Sequence, residues 1–172
     1  MSKMNLIKVI QTVFCALVVL MSVGCEKEQA AIYESREHGF SFRILNELEV
    51  LEDNNSSIYL ELPASRWKDY SVSSVSILVE EISPSEVESK LAPFELRKKD
   101  AIHYLESYQF DWNGRLSLWT TYTVPKYPDQ LNVQVCTVSK NKYYDIVFRA
   151  SKRSRHESKE EIKLFIDNFE ID

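Results

Sequence analysis

The fold is decided by Tyr108-Gln109-Phe110-Asp111-Trp112-Asn113-Gly114-Arg115-Leu116-Ser117-Leu118-Trp119-Thr120-Thr121-Tyr122. Tyr108, Phe110 and Trp112 alternate with polar residues before Asn113-Gly114; Leu116, Leu118, Thr120 and Tyr122 alternate after it. Asn-Gly tolerates positive φ at both central positions of a two-residue turn, the geometry that lets two twisted strands fold back on each other. The spacing predicts a hairpin. The same period of two continues through Leu131, Val133 and Val135, turns at Ser139-Lys140-Asn141-Lys142, and resumes at Tyr144, Ile146 and Phe148. Residues 125–129, with Pro125 and Pro128, read as a loop. Four consecutive antiparallel strands, a meander, are expected.

Working outward, Phe40, Phe42 and Ile44 alternate in a half-buried strand that follows Gly39, and residues 47–51 suggest a short second one. Asp53-Asn54-Asn55-Ser56 is a turn cluster. Ile58, Leu60 and Leu62 make the next strand, which Pro63 stops, and residues 72–82 make a long strand with Val75, Ile77 and Val79 on one face. Ser83-Pro84-Ser85-Glu86 has the pattern of a helix start, with Pro at the first helical position and Glu at the capping-box position. This helix is expected to break near Pro93, and residues 94–105 lean towards helix. Ser154 and Glu157 suggest a second capping box, after which Ile162, Phe165, Ile166 and Phe169 fall on one helical face. The order of elements predicts an α+β domain: an antiparallel sheet of about six to seven strands, with a C-terminal meander, covered by helices.

The chain has 172 residues, a formal charge of -5, 44% hydrophobic and 27% charged residues, and only 3 Gly and 3 Cys. Such a composition excludes collagen-like, low-complexity, disulfide-scaffold and multi-span membrane classes. The beginning is distinct from the rest. Lys3 and Lys8 precede an apolar run over residues 13–23, no acid occurs before Glu26, and the run ends in Ser22-Val23-Gly24-Cys25. It is shorter than the roughly 20 apolar residues of a spanning helix. A basic start, a short apolar core and small residues at a cleavage point read as a secretory signal peptide over residues 1–24.

Gly24-Cys25 resembles the end of a bacterial lipoprotein signal, although Ser22 stands where Leu is usual and Leu20 lies two residues further back. That resemblance implies diacylation of Cys25 and attachment to a membrane, since each buried methylene contributes ~0.8 kcal/mol. Residues 25–32 then form a polar tether with a reach of roughly 15–20 Å, and residues 33–172 a single domain. Cleavage removes Cys15 and lipidation uses Cys25, leaving Cys136 without a disulfide partner. The expected location is the bacterial cell envelope, on the periplasmic or the surface face.

Tyr33, Gly39-Phe40-Ser41-Phe42, the Tyr-rich run Tyr143-Tyr144-Asp145-Ile146-Val147-Phe148 and the helix running to Phe169 together resemble the PsbP-like group. This group includes DcrB-like bacterial lipoproteins and Mog-type nuclear import factors. Ile44-Leu45-Asn46 stands where the group often has Pro. The resemblance implies a sheet sandwiched by helices and a non-catalytic binding or assembly role. It supplies no catalytic residues, and it implies no metal or cofactor here.

The residues themselves point the same way. Gly39 and Gly114 are the glycines beyond the signal, and both suit turns rather than a phosphate-cradling loop, which needs clustered glycines. No Gly-x-Ser-x-Gly elbow occurs. His156 and Glu160 have i, i+4 spacing but lack the second His of a zinc-binding helix, so they read as a solvated helix start. His38 with Glu34 reads as the polar edge of the tether. Cys136 could pair with His103 as a nucleophile, but between Val135 and Thr137 it reads as a buried small hydrophobe.

Arg149, Lys152, Arg153, Arg155, His156 and Lys159 cluster just before and within a helix start. They read either as contacts for lipid headgroups or an acidic partner, or as a solvated turn balanced by Glu157, Glu160 and Glu161. Nucleic acid does not suit an exported acidic protein. Trp67, Tyr70 and Tyr127 are aromatics in polar loops, where the alternatives are interface anchors and local packing that closes each loop. The expectation is a non-enzymatic lipoprotein held at the membrane through Cys25 that binds or stabilises an envelope protein. Its interface candidates are Trp67, Tyr70, Tyr127, Arg153 and Arg155. The alternatives are a small-ligand or lipid-binding module with a cleft between helix and sheet, and an enzyme using Cys136 or His103.

Overall fold

The structure is a computed structural model and describes residues 31–44, 47–54, 56–66, 70–92, 102–152 and 155–172. Residues 1–30, with the expected signal peptide, Cys25 and most of the expected tether, the Pro93 region, Trp67, Arg153 and Ser154 lie outside the described residues.

The described residues form two antiparallel sheets. The large one has the order β3 (Glu49–Asp53), β4 (Ser57–Glu61), β5 (Val72–Glu81), β9 (Lys142–Ser151), β8 (Tyr127–Ser139), β7 (Arg115–Val124), β6 (His103–Trp112). Its last four strands in sequence are the expected meander. The small sheet places β2 (Phe40–Arg43) between β1 (Ile32–Ser35) and β10 (Phe169–Ile171).

Alternation gives the large sheet two faces. One carries Val75, Ile77, Phe148, Ile146, Val133 and Val135, which oppose one another across β5, β9 and β8. Helix α2 (Arg155–Asp167) covers it with Ile162, Phe165 and Ile166. The small sheet adds Phe40, Phe42 and Phe169, all nearly fully buried. Phe165 meets Phe42 at 5.0 Å and Phe148 edge-on at 5.2 Å. On the other face, Leu118, Cys136 and Tyr143 are buried with Ile82 and Leu91, next to the single turn α1 (Val87–Lys90).

The Asn113-Gly114 turn has φ of 52° and 79°, and the Lys140-Asn141 turn has φ of 48° and 63°. Both are hairpin turns with left-handed residues at the two central positions, as the twist of the flanking strands requires.

Several expectations are corrected. The lean towards helix at residues 94–105 fails at its end: His103 to Leu105 begin β6, because Tyr104 pairs with Tyr122 and extends the hairpin. The proposed loop 125–129 shrinks to the turn Pro125-Lys126, with Val124 facing Tyr127 across it. Ser83 does start a helical segment, and its N–H donates to Glu86 Oε2 at 2.8 Å, but the helix ends within two turns. Phe169 belongs to β10 rather than α2, because pairing with Phe42 draws the chain into the small sheet. Ile32 lies in β1 rather than in the tether. His38 is buried, only 7% exposed, rather than at a polar edge. Its carbonyl accepts the Tyr144 hydroxyl at 3.0 Å.

Candidate functional site

Strand directions give the molecule two ends. At the upper end, β4 and β9 finish while β5 and β8 begin; α2 starts there, bonded to Ser71 and Val72, and β1 runs from that side to the start of β9, where Lys142 and Tyr144 donate to Glu37 O and His38 O. β8 runs past its neighbour at this end. Its last rung with β9 is Gln130 opposite Ser151, so Tyr127, Pro128 and Asp129 extend about 10 Å further at ~3.4 Å per residue.

The overhang stands opposite the entry to β5. Ser71 stands just ahead of the first rung of β5 and Val72 stands in it, and α2 supplies acceptors for both N–H groups: Glu161 accepts from Ser71 N at 3.4 Å and from Val72 N at 3.1 Å. Glu157 accepts from Ser71 Oγ at 3.4 Å, and Ser71 O accepts from Ser151 N at 3.0 Å. A buried or half-buried backbone donor must find such a partner, so the start of α2 fixes this wall.

Between wall and overhang lies a groove of about 520 Å³, lined among others by Tyr70, Ser71, Ser73, Tyr127, Pro128 and Gln130. Tyr127 is 51% exposed. Lys126 Nζ lies 5.3 Å from its ring centre, a cation–π contact. Tyr70 is half-buried, with Arg66 placing its guanidinium 5.8 Å from the ring and reaching Glu47 at 2.7 Å. Two of the sequence candidates, Tyr70 and Tyr127, are thus brought to one groove. Arg155 is exposed and points to Glu106 at 3.5 Å, beside the shorter Lys159–Glu106 pair at 2.6 Å. Trp67 and Arg153 fall outside the described residues.

Glu157 and Glu161 were not legible as part of this site. Their partners lie far away in sequence, so only the packed structure shows them at the groove wall. Lys126 was missed in the same way, whereas Lys152, already read as one of the basic cluster, donates through Nζ to Pro128 O at 3.4 Å.

A second cleft of about 320 Å³ lies between the β6–β7 hairpin and the end of α2, with Tyr108, Phe110, Trp112, Trp119 and Ile166 among its lining. Tyr108 stacks on Trp119 at 6.2 Å, Phe110 meets Trp119 edge-on at 6.5 Å, and Trp112 Nε1 donates to Ile166 O at 3.2 Å.

Cys136 and His103 do not meet. His103 opposes Thr123 and Cys136 opposes Leu118, about five residues apart along β7, or roughly 17 Å. Cys136 is fully buried and accepts the Tyr143 hydroxyl at 3.0 Å. Beside it, burial pushes the Asp145 carboxyl up, while two bonds from Gln134 Nε2 at 2.9 and 2.8 Å partly hold it down. His156 is exposed on the first turn of α2, and among the described residues no three His, Cys, Asp or Glu side chains gather as metal ligands would.

The sequence matches no known family profile and no curated protein. Solved structures share its architecture. The cyanobacterial PsbP protein CyanoP of Synechocystis sp. PCC 6803 aligns over 86% of this chain and 96% of its own, with a TM-score of 0.61 and 10% identity. A protein of Bacteroides thetaiotaomicron aligns over 84% of this chain with a TM-score of 0.50 and 16% identity, and the present chain spans about half of it, 49%. The fold is therefore a PsbP-like α+β fold.

Proposed function

We propose that this chain is a lipoprotein of the bacterial envelope, anchored through Cys25, that works without catalysis by holding or stabilising a protein partner in the groove between Tyr70 and Tyr127. The observation that carries this reading is the convergence of these two aromatics, from separate parts of the chain, on one groove. Aromatic residues beside apolar surface and a polar rim are typical anchors of protein contacts. The signal-like run ending at Cys25 supports the location, and the PsbP-like fold is compatible with a DcrB-like lipoprotein.

A photo-crosslinking amino acid placed at position 70 or 127 in living cells tests this reading. One discrete envelope protein captured from the tethered chain, and lost with Cys25→Ser, is the expected result. No capture above background at either position counts against the groove.

The aromatic cleft between α2 and the β6–β7 hairpin favours a second reading, a small apolar ligand. Its volume lies at the low end of known ligand pockets. An apolar compound co-purifying with the protein, and lost with Trp119→Ala, would shift the assignment to that cleft.

A further inference from the structure

We propose that the β7–β8 hairpin tip rests on the anionic headgroup surface of the membrane that carries Cys25, so that the Tyr70–Tyr127 groove opens beside the bilayer. This inference rests on the reading of Cys25 as the anchored residue.

β1 starts towards the upper end, because the turn that follows it lies at the lower end, where Glu37 O and His38 O accept from Lys142 and Tyr144 at the start of β9; Ala31 O, at the other end of the strand, accepts from Ile44 N at 2.8 Å. Three residues after Ile44, Glu47 meets Arg66, which in turn reaches Tyr70 on the groove wall. The exit at Ala31 is therefore at the same end as the groove. From Cys25 to Ala31 there are six residue steps, which even fully extended span at most about 20 Å. An anchor at Cys25 thus keeps the upper end, not the lower, close to the membrane.

The tip is suited to that surface. The overhang projects about 10 Å past the β8–β9 ladder, covering a large part of the gap that the tether allows. Pro125, Lys126, Tyr127 and Pro128 are all exposed. Tyrosine favours the membrane–water boundary, where its ring meets apolar surface and its hydroxyl meets water. Lys126 stands beside that ring, and exposed Lys152 binds the Pro128 carbonyl at the foot of the overhang. Lysines held close to an anionic leaflet are drawn to its surface. Asp129 is set back two residues from Tyr127, and the Glu157 and Glu161 carboxylates at the groove wall are engaged by Ser71 and Val72.

The test uses the full-length lipidated protein in vesicles containing 30 mol% phosphatidylglycerol. A nitroxide is attached through Pro125→Cys at the tip, or through Glu88→Cys at the lower end as reference. Collision with oxygen against a water-soluble nickel complex reports contact with lipid, and mass spectrometry of the N-terminal peptide reports acylation separately. Contact at position 125, none at position 88, and loss of the contact in the Lys126→Glu, Lys152→Glu variant are expected. An acylated Cys25 with position 125 as open to nickel as position 88 overturns the proposal and leaves the anchor intact. A Cys25 without acyl chains overturns the anchor, and the orientation with it.

Discussion

Asp145 shows how much one side chain's setting can decide. Its carboxyl is buried on the second face of the sheet beside Cys136, and burial favours its neutral form, so its pKa lies above the ordinary value. A carboxyl whose folded pKa is raised adds stability below the unfolded value and loses that contribution as the pH rises through the folded value. Asp145→Asn should therefore be more stable than wild type in neutral urea titrations, and the advantage should shrink as the buffer is taken into the acid range. Tyr33 and Tyr122 obey the same rule at the alkaline end. Burial, the largest cause for both, pushes each phenol up to about 12, with Asp53 adding to it at Tyr33 and Asp145 at Tyr122. The folded protein keeps protons there that the unfolded chain gives up near pH ~10. Their contribution is complete below that pH and lost as the pH rises towards 12. Absorbance titration of the native protein should show these two tyrosines ionising last.

At the scale of elements, local chemistry was legible and long-range pairing was not. Asn113-Gly114 announced its hairpin because the turn type depends on two adjacent residues. Gly114→Ala should cost roughly 1–2 kcal/mol from backbone strain alone, since a Cβ there meets nothing within 4 Å. Chemical denaturation would read that loss, and an unchanged midpoint would show that the turn relaxes. Phe169 was misread because its spacing from Phe165 and Ile166 suits a helix equally well. What places it in a strand is Phe42, at the other end of the domain, and nothing near Phe169 in sequence announces that pairing. The hairpin tip was misread for a related reason: two prolines suggest a loop, yet Pro125 fits the turn itself and Pro128 fits a stretch of β8 that has no rung with β9. The groove was half legible. Tyr70 and Tyr127 could be suspected from their polar surroundings, but their meeting and the Glu157–Glu161 wall required the fold.

Across the whole molecule, the core is continuous from the small sheet through α2 to the centre of the large sheet. Cys136 lies on the far side of that sheet, fully buried and bonded to Tyr143. Its thiol should not react with an aromatic disulfide reagent in the native state and should react at the rate at which the domain opens, so labelling against urea should follow the loss of tryptophan fluorescence. Labelling well before that transition would mean that the segment around Leu91 opens alone.

The pairing of β1 with β2 has a mechanical consequence. β1 enters at the upper end and runs alongside β2 through four antiparallel rungs, with Ala31 and Ile44 bonded beyond them and the Tyr33 hydroxyl held by Asp53 at 2.7 Å. A pull on the chain ahead of Ala31, directed away from the domain, acts along the strand. It drags β1 lengthwise past β2, so the rungs share the force rather than parting one at a time. β2 is in turn seated on the aromatic core by Phe40 and Phe42. A chain held from its N-terminal side and pulled at Asp172, which β10 leaves at the opposite end, would therefore resist in shear, and force spectroscopy between the termini should find a rupture barrier well above that of a hairpin peeled from its end.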